Sequence, residues 1–315
     1  MATPHIVYSD QLDISLGGLE KLHPFDGRKF SKAWEQITSI LGDKLDGFCH
    51  LVTSPVTDKS LSTFHTDFYL SLVADKRYLA QVVEIPIVRW LPSSWVMGGI
   101  VKPMRYATQA TILATELALE DGFAISLAGG FHHASKENGE GFCAFSDIPV
   151  AVNLLTQRGK LNDGSRIAIV DLDAHQGNGF EHAFYEDERV RFFDMYNCDI
   201  YPKDRFAEKR IDYPVKLASK TADAEYLSQL KEHLAIFIER FGPFDLIYYN
   251  AGTDILAGDK LGQLSVSFDG ILERDAFVLD ICQKASKSTV MVTSGGYSAD
   301  SYKLIAQSVI NQFEL

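Results

Sequence analysis

The sequence predicts an α/β protein with a mostly parallel sheet and helices on both of its faces. Short apolar runs alternate with helical patterns, most runs lack strict polar alternation, and glycine-bearing polar clusters follow several of them. Near-continuous apolar strands are those buried on both faces of a parallel sheet. Strands that alternate with helices of about 10 to 20 residues build βαβ units. In such sheets ligands bind past the carboxyl ends of the strands, where the loops converge. Reactive residues are therefore expected just beyond the strand runs.

The strand candidates are residues 123–128 (FAISLA), 166–171 (RIAIVD), 190–195 (VRFFDM), 244–249 (FDLIYY) and 289–293 (TVMVT), each rich in β-branched or aromatic residues. Between them, residues 104–121 place Ala107, Ala110, Ala114, Leu117 and Ala118 on one helical face and stop at Gly122. Residues 148–158 end at Gly159. Residues 222–241 follow Thr221, align Leu227, Leu230, Leu234, Phe237 and Phe241, and stop at Gly242-Pro243. A last helix, 299–313, is expected to follow Ser298 as its N-cap. No repeat, low-complexity tract or linker divides the chain, so residues 1–315 read as a single domain.

Composition excludes several classes of function. With 315 residues, 46% hydrophobic and 23% charged, the chain can bury a large core. No stretch approaches the roughly 18 to 20 apolar residues of a membrane span. The N-terminal MATPHIVYSDQLD lacks the basic start and apolar run of a secretory signal. A cytoplasmic or nuclear protein is expected, without a membrane span. The net charge of −12 argues against direct nucleic-acid binding, which favours basic surfaces. Cys49, Cys143, Cys198 and Cys282 form no CxxC pair, and buried reduced thiols are expected.

Four polar clusters follow four separate strand runs: Gly129-Gly130-Phe131-His132-His133, Asp171 to Gly179, Asn250 to Asp254, and Ser294-Gly295-Gly296-Tyr297. Asp171, Asp173 and His175 are spaced by two, so an extended segment would point all three to one face. Converging carboxylates and an imidazole need a cation or hydrogen bonds to offset repulsion and lost solvation. A lone DxDxH also fits a capped surface loop. Joined by Asp254 and the paired histidines, it fits a metal centre better, with Asp173, His175 and Asp254 as ligands. One nitrogen and two or more oxygens suit zinc, with ferrous iron as the alternative, and three protein ligands leave room for water. Adjacent histidines at a sheet edge suit acid–base work. Tyr297 offers a phenol that could polarise a carbonyl.

Together GGFHH, GFCAFSD, DLDAHQGNG, NAGTD and TSGGY resemble, in order, the signature segments of the zinc-dependent histone deacetylases. The DAHQGN variant, the serine before the final GGY and GLEKLHPFD at 18–26 are similar to the class IV branch. The resemblance implies a three-layer arginase/deacetylase fold with a central parallel sheet of about eight strands. It implies catalytic zinc on Asp173, His175 and Asp254, with His133 as the main general base, His132 assisting and Tyr297 polarising the carbonyl. Asp171 corresponds to the carboxylate that bonds the first histidine and helps hold a structural monovalent cation, K+ or Na+. Gly141, Phe142, Gly295 and Gly296 correspond to the substrate channel. The implied substrate is acylated lysine in a peptide or protein, and the class IV likeness extends this to long fatty-acyl chains.

Departures from the family pattern carry their own expectations. Asn178 stands where class I enzymes pair the second histidine with aspartate, so His133 should be less basic here. Asp194 falls where class I enzymes offer a serine to the monovalent cation. Lys29 falls where they carry an arginine beside the inner cavity, and Glu84 is assigned no role. The competing readings are an acetylpolyamine amidohydrolase and a non-catalytic binding protein on the same fold. A two-manganese ureohydrolase would need further aspartate-rich motifs.

Overall fold

The computed structural model describes residues 3–22 and 25–314. His23 and Pro24, which anchor the N-terminal likeness, lie outside the described residues. The strands are β1 His5–Tyr8, β2 Cys49–Leu51, β3 Phe123–Ser126, β4 Ile167–Asp171, β5 Val190–Asn197, β6 Tyr213–Leu217, β7 Phe244–Ala251 and β8 Ser286–Thr293. They form one 8-stranded sheet in the order β2-β1-β3-β8-β7-β4-β5-β6, and all neighbouring pairs are parallel. This is the eight-stranded architecture that the resemblance implied.

Among the described residues the α-helices are α1 Lys29–Leu41, α2 Asp58–Leu61, α3 Asp67–Val73, α4 Lys76–Val82, α5 Ser93–Val96, α6 Lys102–Asp121, α7 Asp147–Gln157, α8 Asn178–Ala183, α9 Asp223–Phe241, α10 Phe268–Ala285 and α11 Ser301–Glu314. The alanine face of α6 is buried, with Leu117 half-buried beside it. Small side chains there let the helix lie close to β1, β3 and β8. Gly122, at φ 94, takes the left-handed turn that ends α6. The segment from α2 to α5 gathers Leu61, Phe64, Tyr69 and Val82 into a second apolar cluster that packs against Phe142 and Phe145. That cluster backs one wall of the site described below.

All five strand runs are strands, and β5, β7 and β8 extend beyond the runs read from sequence. β1, β2 and β6 were not among the runs read from sequence; β2 holds only 3 residues, and β6 alternates exposed Pro214 and Lys216 with buried Val215 and Leu217, so no continuous apolar run marks it. β6 carries Pro214, which an edge strand tolerates because it pairs on one side only. The last helix starts at Ser301, not 299; Ser298 accepts from Ser301 N through its carbonyl and from Asp300 N through its hydroxyl, closing a turn ahead of the helix. The cysteine expectation also needs correction: all four are free, but only Cys143 and Cys282 are buried, Cys49 is partly covered and Cys198 is exposed.

The DxDxH segment is not extended beyond Asp171. Asp173 N donates to Asp171 Oδ1 and His175 N to Asp173 Oδ1, each at 3.1 Å, so successive carboxylates cap the turn that follows β4. A buried cation holds this turn from behind. Arg274 of α10 donates from one guanidinium nitrogen to Gly252 O at 2.6 Å and Leu172 O at 3.3 Å, and from Nε to Asp275 at 2.9 Å. Tyr249 of β7 and Ser308 of α11 also donate to Asp275. Removing one partner of a buried ion pair typically costs about 3–5 kcal/mol. Arg274→Leu should therefore lower the urea midpoint by a corresponding amount, and an unchanged midpoint would refute this role.

Candidate metal centre and active site

The loops after β3, β4, β7 and β8 bring the sequence clusters together at the carboxyl edge of the sheet. Asp173, His175 and Asp254 are buried, and each offers a ligand atom within 4.8 Å of the others. His175 Nδ1 lies 3.0 Å from Asp173 Oδ1 and 2.9 Å from Asp254 Oδ2. The remaining carboxylate oxygens are held by the protein: Asp254 Oδ1 accepts from Ala174 N at 2.9 Å, and Asp173 Oδ2 from Gly295 N at 3.0 Å. A Cβ on Gly295 would lie 2.2 Å from Asp173 Oδ2 and 2.7 Å from Asp254 Oδ2, so glycine is what lets this loop close on the carboxylates.

The electrostatics show a cluster suited to a cation. Burial disfavours charge on His175, but its hydrogen bonds to Asp173 and Asp254 and their charges raise it to about 10. Burial and then the Asp173 charge raise Asp254 to about 7. Asp173 stays well below the usual carboxylate range despite burial, because His132 and His175 face it. A divalent cation bound by these three side chains would offset the same repulsion and lost solvation. Two carboxylates and one imidazole with this compact spacing fit a divalent metal with an open position.

The adjacent histidines are driven apart in basicity. His132 donates from Nδ1 to Asp171 Oδ2 at 2.9 Å. Burial opposes its charge, yet Asp171 and Asp173 raise it to about 9. His133 donates from Nδ1 to Asn178 Oδ1 at 2.7 Å. Burial and then the positive neighbours His132 and His175 push it well below its ordinary value, as the missing aspartate suggested. Asp171 also accepts from Asn250 Nδ2 at 2.9 Å. Asp194 sits next to Asp171 and Glu181, accepts from Gly177 N at 3.0 Å, and is raised well above the carboxylate range by burial and those two acids.

A cavity opens onto this cluster and is bordered by His132, His133, Asp173, Gly295 and Tyr297. Gly141 and Phe142 form one wall at a tight turn with φ 52 and 67. A Cβ on Gly141 would come within 2.3 Å of His133 Cδ2, so a larger residue would displace that ring as well as strain the turn. Phe25 packs against Phe142 with ring centroids 4.8 Å apart, and both border the cavity. Gly296 does not line the cavity; it is buried against Thr253 and Ser301, and the channel expectation for it is corrected accordingly. Tyr297 borders the cavity with its ring 6.2 Å from His175, and its backbone N donates to Asp259 at 2.8 Å.

Further side chains contribute, Lys29 among them, which the family likeness had placed beside the inner cavity. Lys29 is wholly buried between Phe25 and Phe30, and its ammonium donates to Ser294 O. Burial lowers it to about 8 against the attraction of Asp254 and Asp173. Asp147 accepts from Gly130 N and Phe131 N at 2.8 and 2.9 Å, fixing the backbone that presents the two histidines. Glu140 accepts from Asn178 Nδ2 at 2.7 Å. His65 ties both ends of the channel loop, bonding Lys136 O and Ser146 N at 3.0 Å each. Glu84 is exposed and outside the cavity.

Comparison with known proteins agrees with this architecture. The family model described as "Histone deacetylase domain" matches residues 23–313. "Histone deacetylase 2" of Arabidopsis thaliana is 41% identical over 310 residues, spanning 97% of this chain and 78% of that protein. A "Probable deacetylase" of Archaeoglobus fulgidus is 31% identical over 248 residues, spanning 75% of this chain and 66% of its own length. Among solved structures, the HDA15 HD domain superimposes with a TM-score of 0.77 at 18% identity, covering 99% of this chain and 90% of that one. An HDAC homolog complexed with SAHA gives 0.74 at 22% identity, covering 99% and 83%. At those identities the two structures speak to the fold alone. With nearly its whole length matched by the family model and its strand-end clusters gathered at one sheet edge, the chain belongs to the histone deacetylase family.

Proposed function

We propose that this protein hydrolyses the amide of acylated lysine side chains, with zinc held by Asp173, His175 and Asp254. The observation that carries this reading is the buried Asp-His-Asp cluster on an apolar cavity shared with two histidines of opposite electrostatic character and a tyrosine. Zinc bound there would supply Lewis acidity and bring the pKa of water from about 15.7 towards 7. His133, kept neutral by burial and cationic neighbours, is fitted to take the proton of the attacking water. His132, held charged by Asp171 and Asp173, contributes positive field beside the developing oxyanion. Tyr297 donates its phenolic hydrogen to that oxygen. As the C–N bond breaks, the leaving lysine amine takes the proton that His133 removed from water.

The neighbouring acids support a structural monovalent cation, K+ or Na+. Asp171, Asp194 and Glu181 are buried together, and burial, with Asp171 adding to it, raises Glu181 to about 7. A cation there would relieve the same repulsion that a proton now relieves.

The class IV reading rests on the DAHQGN and TSGGY segments and carries a preference for long acyl chains. The cavity favours that preference through an apolar recess of Leu12, Ile14, Phe30, Pro103, Met104 and Ala107. Each buried methylene contributes about 0.8 kcal/mol.

Two outcomes follow. Tyr297→Phe should leave zinc content intact and lower kcat on acyl-lysine peptides by about 100- to 1,000-fold, the usual loss for one oxyanion donor; near-normal turnover would discredit the assignment. Across acetyl-, octanoyl- and myristoyl-lysine peptides, kcat/KM should rise with chain length, and a strong preference for acetyl would remove the long-chain reading.

A further inference from the structure

Asparagine leaves open a choice that aspartate would settle. Its amide can present either the carbonyl oxygen, an acceptor, or the NH2 group, a donor. With the oxygen towards His133, Nδ1 must carry the hydrogen and Nε2 keeps the lone pair that a base needs. With the NH2 group towards His133, Nδ1 must accept, the hydrogen moves to Nε2, and the ring can no longer take a proton there. Asn178 alone does not fix which face is shown.

We infer that Glu140 makes this choice, acting as a positioning residue that locks the Asn178 amide and, through it, the base-competent tautomer of His133. A carboxylate only accepts hydrogen bonds, so the Asn178 group facing Glu140 must be NH2. Asn178 Nδ2 donates to Glu140 Oε1 at 2.7 Å, and on its other side Oδ1 receives His133 Nδ1 at 2.7 Å. The chain His133–Asn178–Glu140 is thus directional. It replaces a carboxylate in direct contact with the imidazole by one placed an amide further away.

The surroundings hold Glu140 to this task. Its carbonyl accepts from Cys143 N at 2.9 Å, closing the turn through Gly141 and Phe142. Phe142 N donates to Val82 O at 2.9 Å, and Gly139 N donates to the Tyr78 hydroxyl at 2.8 Å. Both flanks of Glu140 are therefore pinned to α4 and its surroundings. Tyr201 packs its ring 5.2 Å from that of His133, on the same side as Glu140. Glu140 faces an open polar cleft shared with Ser135, Asn138 and His182, so its charge stays in reach of water and avoids the cost of full burial.

This inference rests on His133 serving as the base in the proposed hydrolysis, and its test is built to fail separately. In the full-length zinc-loaded protein, 15N spectra of the histidine rings should show His133, assigned with His133→Phe, as a single Nδ1–H tautomer. Glu140→Ala should convert that signal to a mixture and lower kcat on an acyl-lysine peptide by about 10- to 100-fold, the usual loss on removing a group that orients an active-site histidine, with KM little changed. Asn178→Asp alone should also be impaired, because the introduced carboxylate faces Glu140. Adding Glu140→Gln to it should recover activity, since the new amide donates to the carboxylate that then holds His133. An unchanged His133 tautomer in Glu140→Ala would overturn the lock, as would Asn178→Asp behaving the same whatever stands at position 140. If the wild-type protein turns over no acyl-lysine peptide, the reaction assignment fails while the ring spectra still decide the lock.

Discussion

Two carboxylates and an imidazole meet below the protein surface, with Asp173 and Asp254 lying 3.0 and 2.9 Å from one nitrogen of His175. Burying like charges this close is costly unless a cation or protons compensate. Much of the nearby structure can be read as a response to that constraint. Main-chain donors at Ala174 and Gly295 occupy the outer carboxylate oxygens. Arg274 reaches the carbonyls of the two loops that carry the ligands, so the turns are held by a charge on the far side. Lys29 places a further buried cation near the same acids.

The same electrostatics divide labour between neighbouring histidines. His132 faces Asp171 and is held charged, whereas His133 faces an amide and the positive rings of His132 and His175. Environments that push two titratable groups apart mark out acid and base roles on one site. Here the separation comes from the charges each ring faces: Asp171 and Asp173 raise His132 against its burial, whereas burial and the cationic His132 and His175 lower His133.

Sequence reading recovered what was local. The five longest-reading strand runs and the clusters at their ends lie within a few residues of each other, so apolar runs and DxDxH spacing announced them. The convergence of Asp173 with Asp254 was inferable because parallel strands deliver their loops to one edge. Groups that act over long sequence separations were not legible. Arg274 meets Leu172 across 102 residues with nothing in the sequence to announce it, whereas Lys29, which meets Ser294 across 265, was placed beside the cavity through the family likeness alone. Glu140 reads as one more charge in a polar loop until the fold sets it against Asn178, 38 residues away. Gly296 erred in the other direction: its neighbour Gly295 lines the cavity, while Gly296 turns inward. β2, with 3 residues, carries too few for any period to emerge, and β6 interrupts its apolar positions with Pro214 and Lys216.

The central claim is that Asp173, His175 and Asp254 bind zinc and release protons as they do so. Calorimetric titration of zinc into chelator-treated protein between pH 6 and 8 tests it directly. The account requires one zinc per chain and an affinity that rises with pH by about tenfold per unit for each displaced proton. The sign follows from His175 at about 10 and Asp254 at about 7, which hold protons that zinc must expel and that higher pH removes. Absence of binding, or an affinity that ignores pH and survives Asp254→Asn, would contradict it.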